Sequence, residues 1–132
     1  MGKPLAAYNS IGEEEVKALE AVGRTGKFSG FIGAWCDEFG GGPIVQAFEG
    51  AWRERFRVRH AISVNSNTSG LIAALGAIGL SPGDEVIVPP MTMSATVMAP
   101  LIYGGIPVFV DMEPETFCLD IEKVAEAITS KT

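Results

Sequence analysis

Residues 61–71, with the sequence AISVNSNTSGL, join an apolar run to a polar turn and then to the start of an apolar helix. The segment predicts a buried strand over 61–64 and a helix over 68–79. The first backbone N–H groups of a helix have no intrahelical acceptor and lie at the positive end of the helix dipole. The sequence therefore predicts a turn that can hold a phosphate, with an ordinary polar N-cap as the alternative interpretation.

Strands and helices alternate along the second half of the chain. Further strands are predicted over 85–88 and 108–110, and further helices over 92–103 and 121–128, the last capped by Asp120. We expect Pro100 to kink or shorten the middle helix. Alternation of this kind is typical of a mostly parallel α/β sheet with right-handed crossovers.

The first half of the chain is predicted to be helical on both sides of a long loop. Ser10-Ile-Gly-Glu13 has the pattern of a capping box and predicts a helix over 12–22. Residues 23–43 are rich in glycine and aromatic residues and fit no helical or strand period. Pro43 can begin the next helix. Its apolar side chains recur every four residues and are predicted to be core: Ile44, Phe48, Trp52 and Phe56.

Composition excludes several classes of protein. A chain of 132 residues that is 47% hydrophobic and 20% charged can build one small folded domain. A net charge of −6 argues against nucleic acid or an anionic membrane as a partner. No apolar run has the length of a membrane span or of an export signal, so we expect a cytoplasmic protein. Cys36 and Cys118 lack metal-ligand spacing; we interpret them as free thiols, with a disulfide as the minor alternative, and expect no metal.

Two further segments, 80–96 (LSPGDEVIVPPMTMSAT) and 104–120 (GGIPVFVDMEPETFCLD), follow the polar turn at regular intervals. Together with the turn they resemble the vitamin-B6-dependent sugar aminotransferases of the DegT/StrS type. That family has a Ser-Asn-Gly-Thr-like turn, then Pro-Gly-Asp-Glu-Val-Ile-Val-Pro, then Gly-Ala-x-Pro-Val-Phe-Val-Asp with an Asp-Pro-x-Thr turn. The resemblance runs from about Ile11 to the C-terminus and also includes 12–16, 29–30 and 45–49.

The resemblance implies a fold and a division of the chain. We expect the N-terminal part of an aspartate-aminotransferase-like large domain, an incomplete and mostly parallel α/β sheet. Residues 1–57 would form the N-terminal helices and the glycine-rich loop. Residues 58–132 would form the first βαβαβα portion of the cofactor-binding domain.

The resemblance also implies pyridoxal phosphate as cofactor and a set of residues that bind it. Thr68 and Ser69 would contact the phosphate through backbone N–H and hydroxyl groups, and Ser66 and Asn67 would shape the turn. Met93 stands where the family usually has an aromatic residue stacked on the pyridine ring. A thioether can pack on a ring face but has no π surface of its own.

No catalytic residue is predicted within the chain. In the family the Schiff-base lysine and the carboxylate on the pyridine nitrogen lie on later strands, beyond Thr132. The chain has five lysines, and none lies in the matching context: Lys3, Lys17, Lys27, Lys123 and Lys131. His60 is expected to be structural, and Asp111 is expected to cap the turn that follows it.

The family's first strand pairs with a strand supplied much later in the sequence. On that topology, residues 61–64 would lack a sheet neighbour, and unpaired strand edges invite association. We therefore expect a fragment, a natural half-protein completed by another chain, or a rearranged homo-oligomer. The aromatic residues of the glycine-rich loop are the expected interface.

Three functions are compatible with these residues. The first is the N-terminal part of an aminotransferase that acts on a nucleotide-linked keto-sugar, with an amino acid such as glutamate as donor. Such a part is expected to be inactive alone. The second is a lysine-less sugar dehydratase on the same scaffold. The third is a non-catalytic binding or assembly module.

Overall fold

The computed structural model describes residues 10–132. Within them the chain forms helices α1 (Glu13–Thr25), α2 (Pro43–Phe56) and α3 (Asn67–Ala77), strand β1 (Glu85–Val88), helix α4 (Ser94–Ile102), strand β2 (Ile106–Phe109) and helix α5 (Ile121–Ala127). The chain divides into two compact units, Met1–Ser63 and Val64–Thr132. The functional division after residue 57 stays a prediction.

In the first unit, the N-cap residue of α1 lies two residues after Ser10, the residue expected to cap this helix. Gly12 is the N-cap residue, and the Glu15 carboxylate accepts the Gly12 N–H at 2.7 Å. The predicted capping box led by Ser10 is therefore wrong, because the carboxylate that reaches back belongs to Glu15. The hydrogen bond from Gly12 lowers the pKa of Glu15. The helix ends at Gly26, whose φ of 67° suits a residue without a side chain.

The loop predicted over 23–43 is shorter in the structure, because α1 extends to Thr25. Between Gly26 and Gly42 the segment contains no helix or strand, and it is held by its own hydrogen bonds. The Gln46 side-chain amide donates to the carbonyl oxygens of Asp37 and Gly41, at 3.2 and 2.7 Å. Gly30 passes so close to Gly42 that a Cβ on Gly30 would lie 2.7 Å from the Gly42 backbone. Glycine is required at this crossing, since any larger residue would push the two segments apart.

Helix α2 begins at Pro43 as predicted, but its apolar stripe is not a core. Phe48, Trp52 and Phe56 are each about half exposed and pack on one another, with ring centroids 5.8 and 4.5 Å apart. The prediction of a buried stripe is wrong for the described residues, and α2 has no buried residue. A four-residue period of apolar side chains shows which face of a helix favours packing against another surface. It does not show whether the same unit contains a surface that covers that face.

The segment 61–64, predicted as the first strand, is the second correction. Within residues 10–132 it pairs with no strand. The Glu49 carboxylate accepts hydrogen bonds from the backbone N–H and the hydroxyl of Ser63, at 2.7 and 2.9 Å. Ile62 is 85% exposed. The outcome agrees with the expectation that this segment lacks its sheet neighbour.

In the second unit, β1 and β2 form a two-stranded parallel sheet. The register runs from Glu85 opposite Ile106 to Val88 opposite Phe109, and α4 is the crossover between the strands. The small core contains Val88, Ala99 and Val110. Strand β2 was predicted over 108–110 and begins two residues earlier, because Gly104, with φ 71°, turns the chain directly after α4.

Helix α5 and the turn before it close the second unit. Asp120 is the N-cap residue, as predicted, and its Oδ1 accepts the N–H groups of Glu122 and Lys123 at 3.0 and 3.3 Å. The Asp120 N–H donates to the Asp111 carbonyl at 3.1 Å. The side chain of Asp120 therefore satisfies two N–H groups that the helix itself leaves without acceptors.

Replacing Asp120 by alanine tests this cap. Asp120→Ala should lower the free energy of unfolding by about 1 kcal/mol, because two helical N–H groups lose their acceptor. Asp120→Asn keeps the accepting oxygen and should retain most of the stability. Urea unfolding followed by far-ultraviolet circular dichroism measures both; equal midpoints for the alanine and wild-type chains would contradict the assignment.

Candidate functional site

The polar turn before α3 is held by a network of side chains. Ser66 is the N-cap residue, and its Oγ accepts the Ser69 N–H at 3.1 Å. The Ser69 hydroxyl donates to the Asn65 Oδ1 at 2.6 Å and lies 3.0 Å from the Ser66 Oγ. The Ser66 carbonyl also accepts the Gly70 N–H at 3.1 Å. The backbone and hydroxyl donors of Ser69 are thus already used inside the turn.

The turn leaves two backbone donors free. Within residues 10–132, the N–H groups of Asn67 and Thr68 have no acceptor. The first turn of α3 also carries no acidic side chain, and its last turn carries no basic one. The positive end of the α3 dipole is therefore not neutralised by the helix's own charges. Of the two N–H groups expected to bind phosphate, that of Thr68 is free and that of Ser69 is occupied, while Asn67 provides the second free donor.

Helices α3 and α4 run side by side in the same direction. The turns that follow them are joined, since the Gly83 N–H donates to the Gly104 carbonyl at 2.9 Å. Those turns lead into β1 and β2, which are parallel. Both helices therefore start at the opposite edge, where β1 and β2 end. The carboxyl ends of parallel strands are the usual ligand edge of an open α/β sheet.

Met93 lies at this edge as the N-cap residue of α4, with 78% of its surface exposed. Thr92 directly precedes Met93, and Thr96 follows it in the first turn of α4. Their hydroxyl oxygens lie 2.9 Å apart and bond to each other. Ser94 is the first residue of α4. The thioether is therefore the most accessible group of this segment for contact with a ring.

Asp111 has a partner that the sequence interpretation did not foresee. It was expected to cap the following turn, but its side chain bonds Lys123 Nζ at 2.8 Å. This bond lowers the pKa of Asp111 and raises the pKa of Lys123. Both side chains are largely exposed, and the pair lies on α5 and the turn before it. The geometry is that of a surface ion pair rather than of a catalytic carboxylate.

The other candidates lie apart from the turn in the sequence. His60 lines a groove of about 430 Å³ in the first unit, together with Phe48 and Trp52. Cys36 and Cys118 are free and exposed. In the part of the chain that the structure describes, no group of three or more histidine, cysteine or acidic side chains could hold a metal. The helices of that same part are all too short or too polar to cross a membrane.

The roles of two residues in this region were not predicted from the sequence. Asn65 orients Ser69, and a signal existed, since asparagine before a serine-rich turn favours local hydrogen bonding. The Tyr103 hydroxyl, in a part-buried contact, donates to the Ile72 carbonyl at 2.9 Å. That contact spans 31 residues of sequence, and no local pattern could have indicated it.

The Asp111–Lys123 pair makes a titration prediction. Lys123→Met should raise the pKa of Asp111 toward the ordinary aspartate value, because the bond that lowers it is removed. In the wild type, the pair's contribution to stability is present above the ordinary aspartate range and fades as the pH falls through the lowered pKa of Asp111.

Carbon-13 NMR of the Asp111 carboxyl group measures the titration midpoint. Lys131→Met is the matched control, since it removes the same charge from a lysine that makes no ion pair within residues 10–132. An unchanged midpoint in Lys123→Met would show that the bond does not persist in solution.

Comparison with known proteins places this geometry in context. Residues 10–132 match the sequence model of the DegT/DnrJ/EryC1/StrS aminotransferase family. The chain is 39% identical over 120 residues to 3-oxo-glucose-6-phosphate:glutamate aminotransferase of Bacillus subtilis, a match that covers 91% of this chain and 25% of that protein. It is 43% identical over 91 residues to GDP-perosamine synthase of Caulobacter vibrioides, covering 69% of this chain and 24% of that one. The chain thus spans about a quarter of the length of these relatives.

Solved structures agree with the sequence comparison. NtdA from Bacillus subtilis with bound cofactor PMP superposes with a TM-score of 0.77 at 39% identity, covering 92% of this chain and 26% of that one. The E. coli GDP-4-keto-6-deoxy-D-mannose-3-dehydratase with bound hydrated PLP gives 0.79 at 26% identity, covering 96% and 31%. The expected fold class, part of a pyridoxal-phosphate-type α/β domain, is confirmed.

Proposed function

Because this chain belongs to the DegT/DnrJ/EryC1/StrS aminotransferase family, we propose that it supplies the cofactor phosphate site of an aminotransferase acting on a nucleotide-linked keto-sugar. An amino acid such as glutamate would be the amino donor. The observation that carries the proposal is the pair of free N–H groups, on Asn67 and Thr68, at the start of α3.

The donor set fits a phosphomonoester. A phosphate needs several hydrogen-bond donors and a positive potential, and a helix N-terminus without acidic residues provides both. Asn67 and Thr68 would bind phosphate oxygens through their N–H groups, and the Thr68 hydroxyl would add a side-chain donor. Ser66 and Ser69 would hold the turn in shape, since their groups already bond to each other. Met93 would pack against one face of the ring.

Pyridoxal phosphate, the cofactor of the family, supplies the electron sink that amino-group transfer requires. The chain's own contribution would be to bind and orient this group at the edge where β1 and β2 end. We do not propose any lysine of this chain as the residue that binds the cofactor covalently. Lys123, for example, is engaged by Asp111.

The sugar substrate is proposed from the relatives. One matched relative is named for 3-oxo-glucose-6-phosphate and glutamate, and another for the synthesis of GDP-perosamine. The dehydratase is the second candidate, favoured by the structural similarity to the E. coli enzyme. The aminotransferase is preferred because the identity to that relative, at 39%, exceeds the 26% to the dehydratase.

Substitution at Asn67 tests the phosphate site without removing a side chain that the turn needs. Asn67→Pro deletes one free N–H at the first helical position, where proline is well tolerated. Ser66, with φ −159° and ψ 159°, already has the extended backbone that a residue before proline adopts. We expect about a tenfold weaker affinity for inorganic phosphate, since one charge-assisted hydrogen bond is lost.

The measurement is an NMR titration that follows the Thr68 amide signal. Asn67→Ala is the control, because it removes the side chain and keeps the N–H, and it should bind phosphate as the wild type does. Equal affinity of the proline and alanine variants would count against the proposed donors.

The proposal also includes association of several copies. Phe28 and Trp35 on the glycine-rich loop are 81% and 90% exposed, and Trp35 stacks on Phe39 with ring centroids 4.3 Å apart. Large exposed aromatic surfaces are typical of interfaces. We expect light scattering to give a mass above that of one chain, and Trp35→Ser to lower it. A wild-type monomer would refute the proposed assembly.

A further inference from the structure

We infer that Tyr103 is a positioning residue that fixes the spacing between the phosphate-binding turn of α3 and Met93 at the start of α4. The inference rests on the proposed function and extends it to a residue that is not near the phosphate turn in the sequence. It follows from three contacts that join α3 and the turn after it to Tyr103 and Gly104, the residues that follow α4.

The first contact is the hydrogen bond of Tyr103 itself. Tyr103 directly follows α4, and its hydroxyl donates to the Ile72 carbonyl in the middle of α3, at 2.9 Å. A carbonyl oxygen has two lone pairs, so Ile72 can accept this bond in addition to the one within its own helix. The bond fixes the position of Tyr103 along the axis of α3 and the side of α3 that faces it.

The second contact explains why position 76 is glycine. A Cβ on Gly76 would lie 2.5 Å from the Tyr103 hydroxyl oxygen and 3.0 Å from the ring carbon that bears it. Glycine in the interior of a helix is unfavourable relative to alanine. Its presence here is accounted for by the approach of Tyr103, because any other residue would displace the hydroxyl from Ile72.

The third contact joins the two turns that follow α3 and α4. The Gly83 N–H donates to the Gly104 carbonyl at 2.9 Å, and these residues lie in the turns after α3 and α4. The residues after α4 are thus joined to the middle of α3 by one hydrogen bond and to the turn after α3 by another. The N-terminal ends of the two helices carry Asn67 and Thr68 on α3 and Met93 on α4.

Met93 lies at the opposite end of α4 from Tyr103, so a small change in the angle of α4 at Tyr103 displaces Met93. Met93 and Tyr103 flank α4 at its two ends, roughly 15 Å apart along the helix axis, so a tilt of α4 by about 10° at Tyr103 moves Met93 by roughly 2.5 Å. A phosphate that contacts α3 alone would not sense such a tilt. A ligand that must reach both the turn of α3 and Met93 would sense it.

The experiment compares two ligands with different reach. Inorganic phosphate needs only the turn, whereas pyridoxamine 5′-phosphate, which has no aldehyde to react with lysines, needs the turn and Met93 together. Affinities are measured by NMR from the amide signals of Asn67 and Thr68. The methyl signal of Met93 reports contact with the ring.

Tyr103→Phe removes the hydroxyl and keeps the ring. We expect it to leave the phosphate affinity within about twofold of wild type, to weaken pyridoxamine 5′-phosphate by about threefold to tenfold, and to reduce the ring-induced shift of Met93. Gly76→Ala should have the same selective effect by a different route, since it displaces the hydroxyl. Thr129→Val, which deletes a hydroxyl bonded to Glu85 in the same unit, should change neither affinity.

Each result bears on a different claim. An equal loss of affinity for both ligands in Tyr103→Phe would mean that Tyr103 supports only the fold of the turn. No loss of affinity for either ligand would mean that the hydroxyl does not set the spacing between the turn and Met93. Either result overturns the positioning role. A wild-type chain in which neither ligand shifts Asn67 or Thr68 overturns the proposed function, and the positioning role with it.

Discussion

The parallel pairing of β1 with β2 is the constraint on which the second unit depends. Two parallel strands cannot be joined by a tight turn, so the chain must cross over through α4 before β2 begins. The crossover brings α4 back along the strands, and it buries Ala99 and Pro100. The pairing of α3 with α4, and the candidate site where these helices begin, follow from that return path.

The same pairing explains why donors gather at one edge. Helices that precede two parallel strands end at the same edge of the sheet, as the bond between Gly83 and Gly104 demonstrates. Their beginnings must then lie together at the other edge. The chain thus places free N–H groups and an exposed thioether near each other without any direct contact between Asn67 and Met93 being required.

The sequence predicted most accurately those features that arise from neighbouring residues. Asp120 was predicted as a cap because an aspartate before an apolar helix has a local use, and Pro43 was predicted to begin α2 for a similar reason. The parallel sheet was predicted from the order of elements. The resemblance to a known family supplied the cofactor and the position of the turn.

Two of the features that failed depend on partners distant in sequence. A strand over 61–64 needs a second strand, and a buried stripe on α2 needs a covering surface; no local pattern contains either. The N–H and hydroxyl groups of Ser69 bond to Ser66 and Asn65, and the role of Ser69 at the phosphate stays a prediction. Tyr103 was missed since its acceptor lies 31 residues away.

The uncompensated dipole of α3 has a consequence for folding as well as for binding. A group that binds only the folded chain adds to its stability by mass action, in proportion to the logarithm of its concentration once the site is filled. The first turn of α3 has no acidic residue to take the place of such a group. If the proposed phosphate site binds anions, the folding equilibrium of the chain would be coupled to the phosphate concentration in solution.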